Sequence, residues 1–195
     1  MSKTKRLKVG FDLDGVILYN PARLSRPVFE FLRSNFLKRK KVKFHIPKTS
    51  LSKFIWYLFH KSSLFIAPGY RELKRLIEDG SVEAYIVSGR YNSLQKDFQK
   101  WMNRLEAEKY FKQFFYNQRD QQPYEFKRQK IKELQLDIYV EDNWDILEVL
   151  QKERFNKPIK LLWLSNPLDW NKSYSNKFKN LKAVVKYLEQ AARTS

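Results

Sequence analysis

From residue 69 onward the chain alternates short runs rich in β-branched and aromatic residues with longer amphipathic stretches, and that rhythm constrains the fold more tightly than any other feature. Val82 to Val87, Phe114 to Tyr116, Asp137 to Val140 and Ile159 to Leu164 carry the strand pattern. Arg71 to Glu78, Ser93 to about Tyr110, Tyr124 to Leu134, Ile146 to Phe155 and Leu181 to Leu188 carry the helical one. A parallel strand pair needs a crossover long enough to hold a helix, so this alternation predicts an α/β fold with a parallel sheet covered on both faces. Ligands of such sheets bind outside the carboxyl ends of the strands.

The first apolar run, Leu7 to Leu18 (LKVGFDLDGVIL), has no helical period and reads as a buried strand stopping at Asp14-Gly15. The rhythm then breaks. Asn20-Pro21 sets a helix start, and Val28, Phe29, Phe31, Leu32, Phe36 and Leu37 recur at helical spacing until the basic run Lys38 to Lys43. After Pro47, Thr49 or Ser50 can cap a second helix over Leu51, Phe54, Ile55, Leu58 and Phe59, and Pro68-Gly69 marks the return to the alternating pattern. The expected organisation is a core of residues 1–18 and 68–195 interrupted by a small helical insertion at 19–67. That insertion holds eleven Lys and Arg against Glu30 alone, more than half of the chain's net charge of +18.

Composition excludes several chemistries. There is no Cys, which removes disulfide scaffolds, thiolate zinc sites and cysteine nucleophiles, and His45 and His60 alone cannot build a His-rich metal site or most triads. The longest strongly apolar candidate, Phe54 to Phe59, is far short of the roughly 18 residues of a membrane span, and the charged start lacks the apolar core of a signal peptide. The expectation is a soluble cytoplasmic protein without a membrane partner. Its positive balance points to anionic partners such as phosphate esters, nucleic acid or an acidic lipid surface.

Four stretches offer chemistry. Asp12 and Asp14 flank one residue at the end of an apolar strand, so alternation puts both carboxylates on one side. Such a pair suits a metal site, or a nucleophile with its acid/base partner, or simply a turn that ends the strand. Glu141-Asp142-Asn143-Trp144-Asp145 follows the strand Ile138 to Val140; Asp142 or Asn143 can act as a plain helix cap, yet two acidic clusters ending two strands of one sheet supply oxygen ligands for a hard cation such as Mg2+. Ser88-Gly89 after the run Val82 to Val87 offers a hydroxyl and free backbone N–H groups to an anion, or is an ordinary loop. Lys127, Arg128, Lys130 and Lys132 share one predicted helix, and charge does not choose among them.

Together Asp12-Leu13-Asp14-Gly15-Val16, Ser88, a lysine and Glu141-Asp142 resemble the four-motif signature of the haloacid dehalogenase superfamily. The resemblance covers nearly the whole chain, implies a three-layer Rossmann-like core with a helical cap inserted after strand one, and selects Lys127, fourteen residues before Glu141. Within the superfamily the sequence is most similar to 5'(3')-deoxyribonucleotidase-like phosphatases. That likeness rests on APGYRELKRL before strand two, the VSGR form, and the WLSNPLDWN loop after the last predicted strand.

The resemblance implies Asp12 as nucleophile forming an aspartyl phosphate, and Asp14 as the acid for the leaving oxygen and then the base for water. It implies Ser88, Gly89 and Lys127 as holders of the phosphoryl group. Asp12, Asp142 and the Asp14 carbonyl would bind Mg2+, with Glu141 and Asp145 behind them or reaching the ion through water. The sequence departs from the usual pattern in having Glu-Asp where Asp-Asp is common and Ser88 where Thr is common.

The expected function is thus a Mg2+-dependent phosphatase acting on a small phosphate monoester, with a nucleotide as the favoured substrate. The alternatives are a phosphatase of nucleic-acid ends and a basic nucleic-acid-binding protein that keeps the fold without turnover. The insertion's aromatic residues Phe44, Phe54, Trp56, Tyr57 and Phe59 suit base stacking, but at helical spacing they read first as its own core.

Overall fold

The computed structural model describes residues 6–21, 44, 46–61, 63–166, 169 and 172–194. The expected helix over Val28 to Leu37, the basic run Lys38 to Lys43 and Pro167 lie outside them.

Six strands form one sheet: β1 (Leu7–Phe11), β4 (Val82–Tyr91), β5 (Gln113–Asn117), β6 (Ile138–Glu141), β7 (Lys160–Leu164) and β8 (Lys177–Phe178). Their order is β5-β4-β1-β6-β7-β8 and every pairing is parallel. The chain thus builds outward from β1 first on one side and then on the other, and the reversal of direction puts β1 between β4 and β6. A sheet wound this way opens a crevice at the carboxyl ends of those three strands.

Alternation along each strand divides the core. Val9, Phe11, Ala84, Ile86, Ile138, Val140, Leu162 and Leu164 join one buried cluster, while Tyr85, Val87, Tyr139, Leu161 and Trp163 join the other. Helices α2 (Tyr70–Glu78), α3 (Gln95–Arg104), α4 (Ala107–Tyr110) and α7 (Leu181–Arg193) cover the first face through residues such as Leu73, Phe98, Ala107 and Val184. Helices α5 (Pro123–Leu134) and α6 (Trp144–Gln151) cover the second through Phe126, Ile131, Ile146, Leu147 and Leu150. Two helical layers around a parallel sheet make the expected α/β architecture. No helix among the described residues is long and apolar enough to cross a membrane.

Three elements differ from the sequence reading. The first strand ends at Phe11 and not at Asp14-Gly15: Leu13 to Ile17 turn back on themselves, with Ile17 and Leu18 N–H donating to the Leu13 carbonyl. Leu13, Val16 and Ile17 are nevertheless fully buried, so their apolar character marks depth and not extension. The predicted long helix from Ser93 is broken at Leu105-Glu106, where Glu106 takes a left-handed conformation (φ 53°) and α4 begins. The two-residue strand β8 is too short to leave a pattern.

At the edges of the insertion, Leu18–Tyr19 (β2) pairs antiparallel with Phe65–Ile66 (β3), and the Tyr19 and Phe65 rings stack at 4.7 Å. A helix, α1 (Ser50–Lys61), lies between them in sequence; Thr49 caps it as expected, its Oγ1 accepting from Ser52 N–H at 3.2 Å. Phe54 and Tyr57 are exposed on α1, against the expectation that they form the insertion's own core. Phe44 packs instead against the second core cluster, where its backbone exchanges two hydrogen bonds with the Gln122 amide at 2.8 and 3.2 Å.

Candidate active site

The parity of β1 decides where the chemistry lies. Val9 and Phe11 point into one core cluster, so Asp12, one step on, points to the face of Tyr139 and Val87, which α5 covers. Phe11 is in register with Val140, and Asp12 N–H donates to the Val140 carbonyl at 3.0 Å, so Asp12 lies beside the end of β6 where Glu141 stands. Ile86 is the partner of Phe11 on the other side, which brings the Ser88 end of β4 alongside.

Lys127 reaches this point from α5. Its ammonium is 3.0 Å from Asp12 Oδ2 and 2.7 Å from Glu141 Oε2, and all three side chains are buried. The remaining oxygens are also fixed: Leu13 N–H donates to Asp12 Oδ1 at 2.8 Å and Asn143 N–H to Glu141 Oε1 at 3.0 Å. Lys127 is thus the one member of the basic helix turned inward; Lys130 pairs with Glu133 and Arg128 with Glu153 nearer the surface.

Asp142 completes the group. Asp12, Glu141 and Asp142 each offer a carboxylate oxygen within 4.8 Å of the others. Gly15 approaches Asp142 so closely that a Cβ on it would fall 2.1 Å from Asp142 Oδ2, and its φ of 86° independently excludes most side chains. The Asp14-Gly15 backbone therefore runs directly against the Asp142 carboxylate. Trp163 Nε1 donates to the Asp142 carbonyl at 3.3 Å and holds the far side of this loop. Asn143, not Asp142, caps α6, accepting from Asp145 and Ile146 N–H at 3.0 and 3.4 Å, which leaves the Asp142 carboxylate to face Gly15. Asp145 is buried in the first turn of that helix.

Ser88 is fully buried, its Oγ accepting from Arg90 N–H at 3.3 Å. Gly89 backs onto Lys127: a Cβ there would lie 3.6 Å from Lys127 Cε and 3.3 Å from Pro123 Cβ, so the absence of a side chain lets the lysine pass. The strand runs on through Arg90 and Tyr91 before a short 3-10 turn, Asn92–Leu94, so the loop after Ser88 is not itself a helix N-terminus.

Asp14 is brought to the same mouth, outside the cluster that Asp12, Glu141 and Asp142 form. Its carboxylate meets Arg90 in a two-pronged pair, Nε to Oδ2 and Nη2 to Oδ1, both at 2.7 Å, and Ser63 Oγ donates to Oδ1 at 2.6 Å. Neither Arg90 nor Ser63 was singled out from the sequence as a site residue. They stand 76 and 49 positions from Asp14, and only a charged side chain close behind the apolar run Ala84 to Val87 hinted at the first.

Electrostatically the pocket carries more acid than base. Burial holds the Asp12 carboxyl well above the usual carboxylate range; Lys127 opposes this, while Glu141, Asp142 and Asp14 add to it. Burial lowers the Lys127 ammonium, but Asp12 and Glu141 outweigh it and keep that group above its ordinary value. Asp12, Glu141 and Asp142 gather three carboxylates around the Lys127 ammonium, and a divalent cation at their oxygens would lower the repulsion among them. The donors are hard carboxylate oxygens with a carbonyl-bearing turn beside them, which fits Mg2+ and not a soft metal.

Solved structures match this fold at high coverage. A HAD-superfamily hydrolase from Ehrlichia chaffeensis superposes with a TM-score of 0.54 at 14% identity over 97% of this chain and 98% of that one. The two chains share one fold. A β-phosphoglucomutase from Clostridium difficile gives 0.55 at 14% identity, covering 97% and 98% of the two chains. CbbY from Rhodobacter sphaeroides, in complex with xylulose 1,5-bisphosphate, gives 0.56 at 10% identity, covering 91% and 96%. No family model matches the sequence, and no curated protein matches it. At these identities the likeness is one of fold, and the argument for chemistry rests on the residues.

Proposed function

We propose that the chain is a Mg2+-dependent phosphatase that hydrolyses phosphate monoesters through an aspartyl-phosphate intermediate on Asp12. The observation that carries this reading is the buried ion triad in which the Lys127 ammonium bridges Asp12 and Glu141 beside the Asp142 carboxylate. A carboxylate so deeply buried needs a reason beyond stability, since an apolar replacement of a buried ion pair is often neutral or stabilising. The solved structures of hydrolases and phosphomutases with this fold support the same reaction class.

Asp12, Asp142 and the Asp14 carbonyl are the Mg2+ ligands in this reading, with Glu141 held back by Lys127 and Asn143, and Asp145 behind Asp142. The cation supplies neutralisation of phosphate charge that the acidic pocket would otherwise repel. Lys127 and the Leu13 amide fix the plane of Asp12, so its attack on phosphorus requires no reorganisation. Ser88 Oγ and the Gly89 amide hold the phosphoryl oxygens, and Lys127 neutralises charge as it develops. An oxygen of Asp12 bonds to phosphorus as the bond to the leaving oxygen breaks, and Asp14 gives that oxygen its proton. Water then attacks the same phosphorus, loses a proton to Asp14, and releases inorganic phosphate with Asp12 restored.

A nucleotide is the proposed substrate. The likeness of the VSGR and late-loop segments to deoxyribonucleotidase-like phosphatases supports it, as does the basic composition of residues 19–67. The net charge of +18 also favours a polyanion, so a phosphorylated nucleic-acid end is the second reading. The test is phosphate release with and without Mg2+ from an aryl phosphate, a nucleotide and sugar-phosphate panel, and 3'- and 5'-phosphorylated oligonucleotides. Mg2+-dependent turnover that disappears in Asp12→Asn is expected, and Asp12→Asn as active as the wild type would overturn the assignment.

A further inference from the structure

The third residue of the Ser88-Gly89-Arg90 segment has no part in the reaction as written above. Arg90 is 1% exposed, more deeply buried than Asp12, Asp14, Lys127 or Asp142. A guanidinium at that depth is costly unless each face of its fork is matched, because the desolvation of a buried ion amounts to several kcal/mol. Here the matching is complete on two sides. Nε and Nη2 grip both oxygens of Asp14 at 2.7 Å, and Nη1 is held by Asp97 Oδ2 at 2.5 Å from the first turn of α3. A third donor closes on Asp14 from the other direction: Ser63 Oγ at 2.6 Å, itself accepting from Asn20 Nδ2 at 3.3 Å.

The two donors come from different parts of the chain. Arg90 belongs to the sheet. Ser63 and Asn20 belong to the two strands of chain that leave and re-enter the core around the insertion, held together by the β2–β3 ribbon. The orientation of Asp14 is therefore set jointly by the sheet and by the returning end of the insertion.

We propose that Arg90, Asp97 and Ser63 are positioning residues for Asp14, a clamp that fixes the plane and direction of the proton-handling carboxylate at the mouth of the pocket. The proposal rests on the phosphatase reading. It differs from a stabilising ion pair in one respect: it predicts which substrates suffer when the clamp is loosened. An alkoxide is a poor leaving group and needs its proton from Asp14, whereas a strongly acidic phenol leaves without one. Proton transfer by a positioned side chain is worth about 10²- to 10⁴-fold, so misplacing Asp14 penalises alkyl esters and spares activated aryl esters.

The experiment compares kcat/KM on an alkyl phosphate with kcat/KM on a dinitrophenyl phosphate for the wild type and for Arg90→Lys, Asp97→Asn and Ser63→Ala, each checked for a native circular-dichroism spectrum and melting transition. The expected result is a loss of about tenfold or more in the alkyl-to-aryl ratio in Arg90→Lys, a smaller loss in the same direction in Ser63→Ala and Asp97→Asn, and no further loss when Arg90→Lys is added to Asp14→Asn. Should Arg90→Lys fail to fold, Ser63→Ala, which deletes a single hydroxyl, carries the same comparison. Folded variants whose activity falls equally on both esters, or does not fall, overturn the clamp while leaving the phosphatase reading intact. A wild type inert toward both esters overturns that reading and the clamp with it.

Discussion

At the residue scale the decisive group is Asp12, whose surroundings trade stability against reactivity. Burial, with Glu141, Asp142 and Asp14 nearby, raises its carboxyl well above the ordinary range in spite of Lys127. Without divalent cations the folded protein keeps on Asp12 a proton that the unfolded chain releases near pH 3.9. That contribution to stability is fully present below the unfolded value and is lost as pH rises through the folded one. Metal-free wild type should therefore lose stability as pH rises above the ordinary carboxylate range, and metal-free Asp12→Asn, which has no such proton to give up, should lose less over the same range. Melting temperatures that fall equally in the two proteins across that pH range would show the pocket to be electrostatically relaxed. The convergence of Asp12, Lys127 and Asp142 was legible in the sequence because each sits at a strand end or a fixed spacing within a four-part pattern. Arg90 and Ser63 were not, since their value depends on contacts across 76 and 49 residues that no local spacing encodes.

At the scale of elements, Lys127 is what joins a helical layer to the carboxyl ends of β1 and β6. It crosses from α5 to Asp12 and Glu141 with no other cation on them among the described contacts. Lys127→Met would leave two buried carboxylates facing each other and should cost about 3–5 kcal/mol at neutral pH, with a smaller loss under acidic conditions where carboxylates take up protons. Urea unfolding at two pH values measures both; a pH-independent loss would mean that packing of the butyl chain, not its charge, is what matters. The same scale shows why element ends were harder to read than element types. Leu13, Val16 and Ile17 are as apolar as a strand because the turn they form is buried, and the long helix beyond Ser93 was split by Glu106, a residue with no glycine-like signature. The parallel sheet itself was legible, because its Val and Ile runs alternate with amphipathic helices whatever their limits.

At the scale of the molecule, winding the sheet outward from β1 in both directions puts four separated stretches at one crevice, and the two clusters of the core follow from strand parity alone. If that crevice holds a cation in the folded state and not in the unfolded chain, Mg2+ stabilises the protein by mass action, about 2.7 kcal/mol at a hundredfold excess over the dissociation constant. Thermal melting across a Mg2+ titration should show a rising midpoint in the wild type and a much weaker rise in Asp142→Asn; identical curves would place the cation elsewhere. The nature of the substrate was the least legible feature, because it depends on how the basic insertion meets a leaving group, and charge and aromatic content do not encode that geometry. The most direct test of the account is to quench the protein in acid during turnover of an aryl phosphate with Mg2+ and locate the trapped phosphoryl group by peptide mass spectrometry. The account predicts an acyl phosphate on Asp12, lost on treatment with hydroxylamine; a phosphoryl group on any other side chain would contradict it.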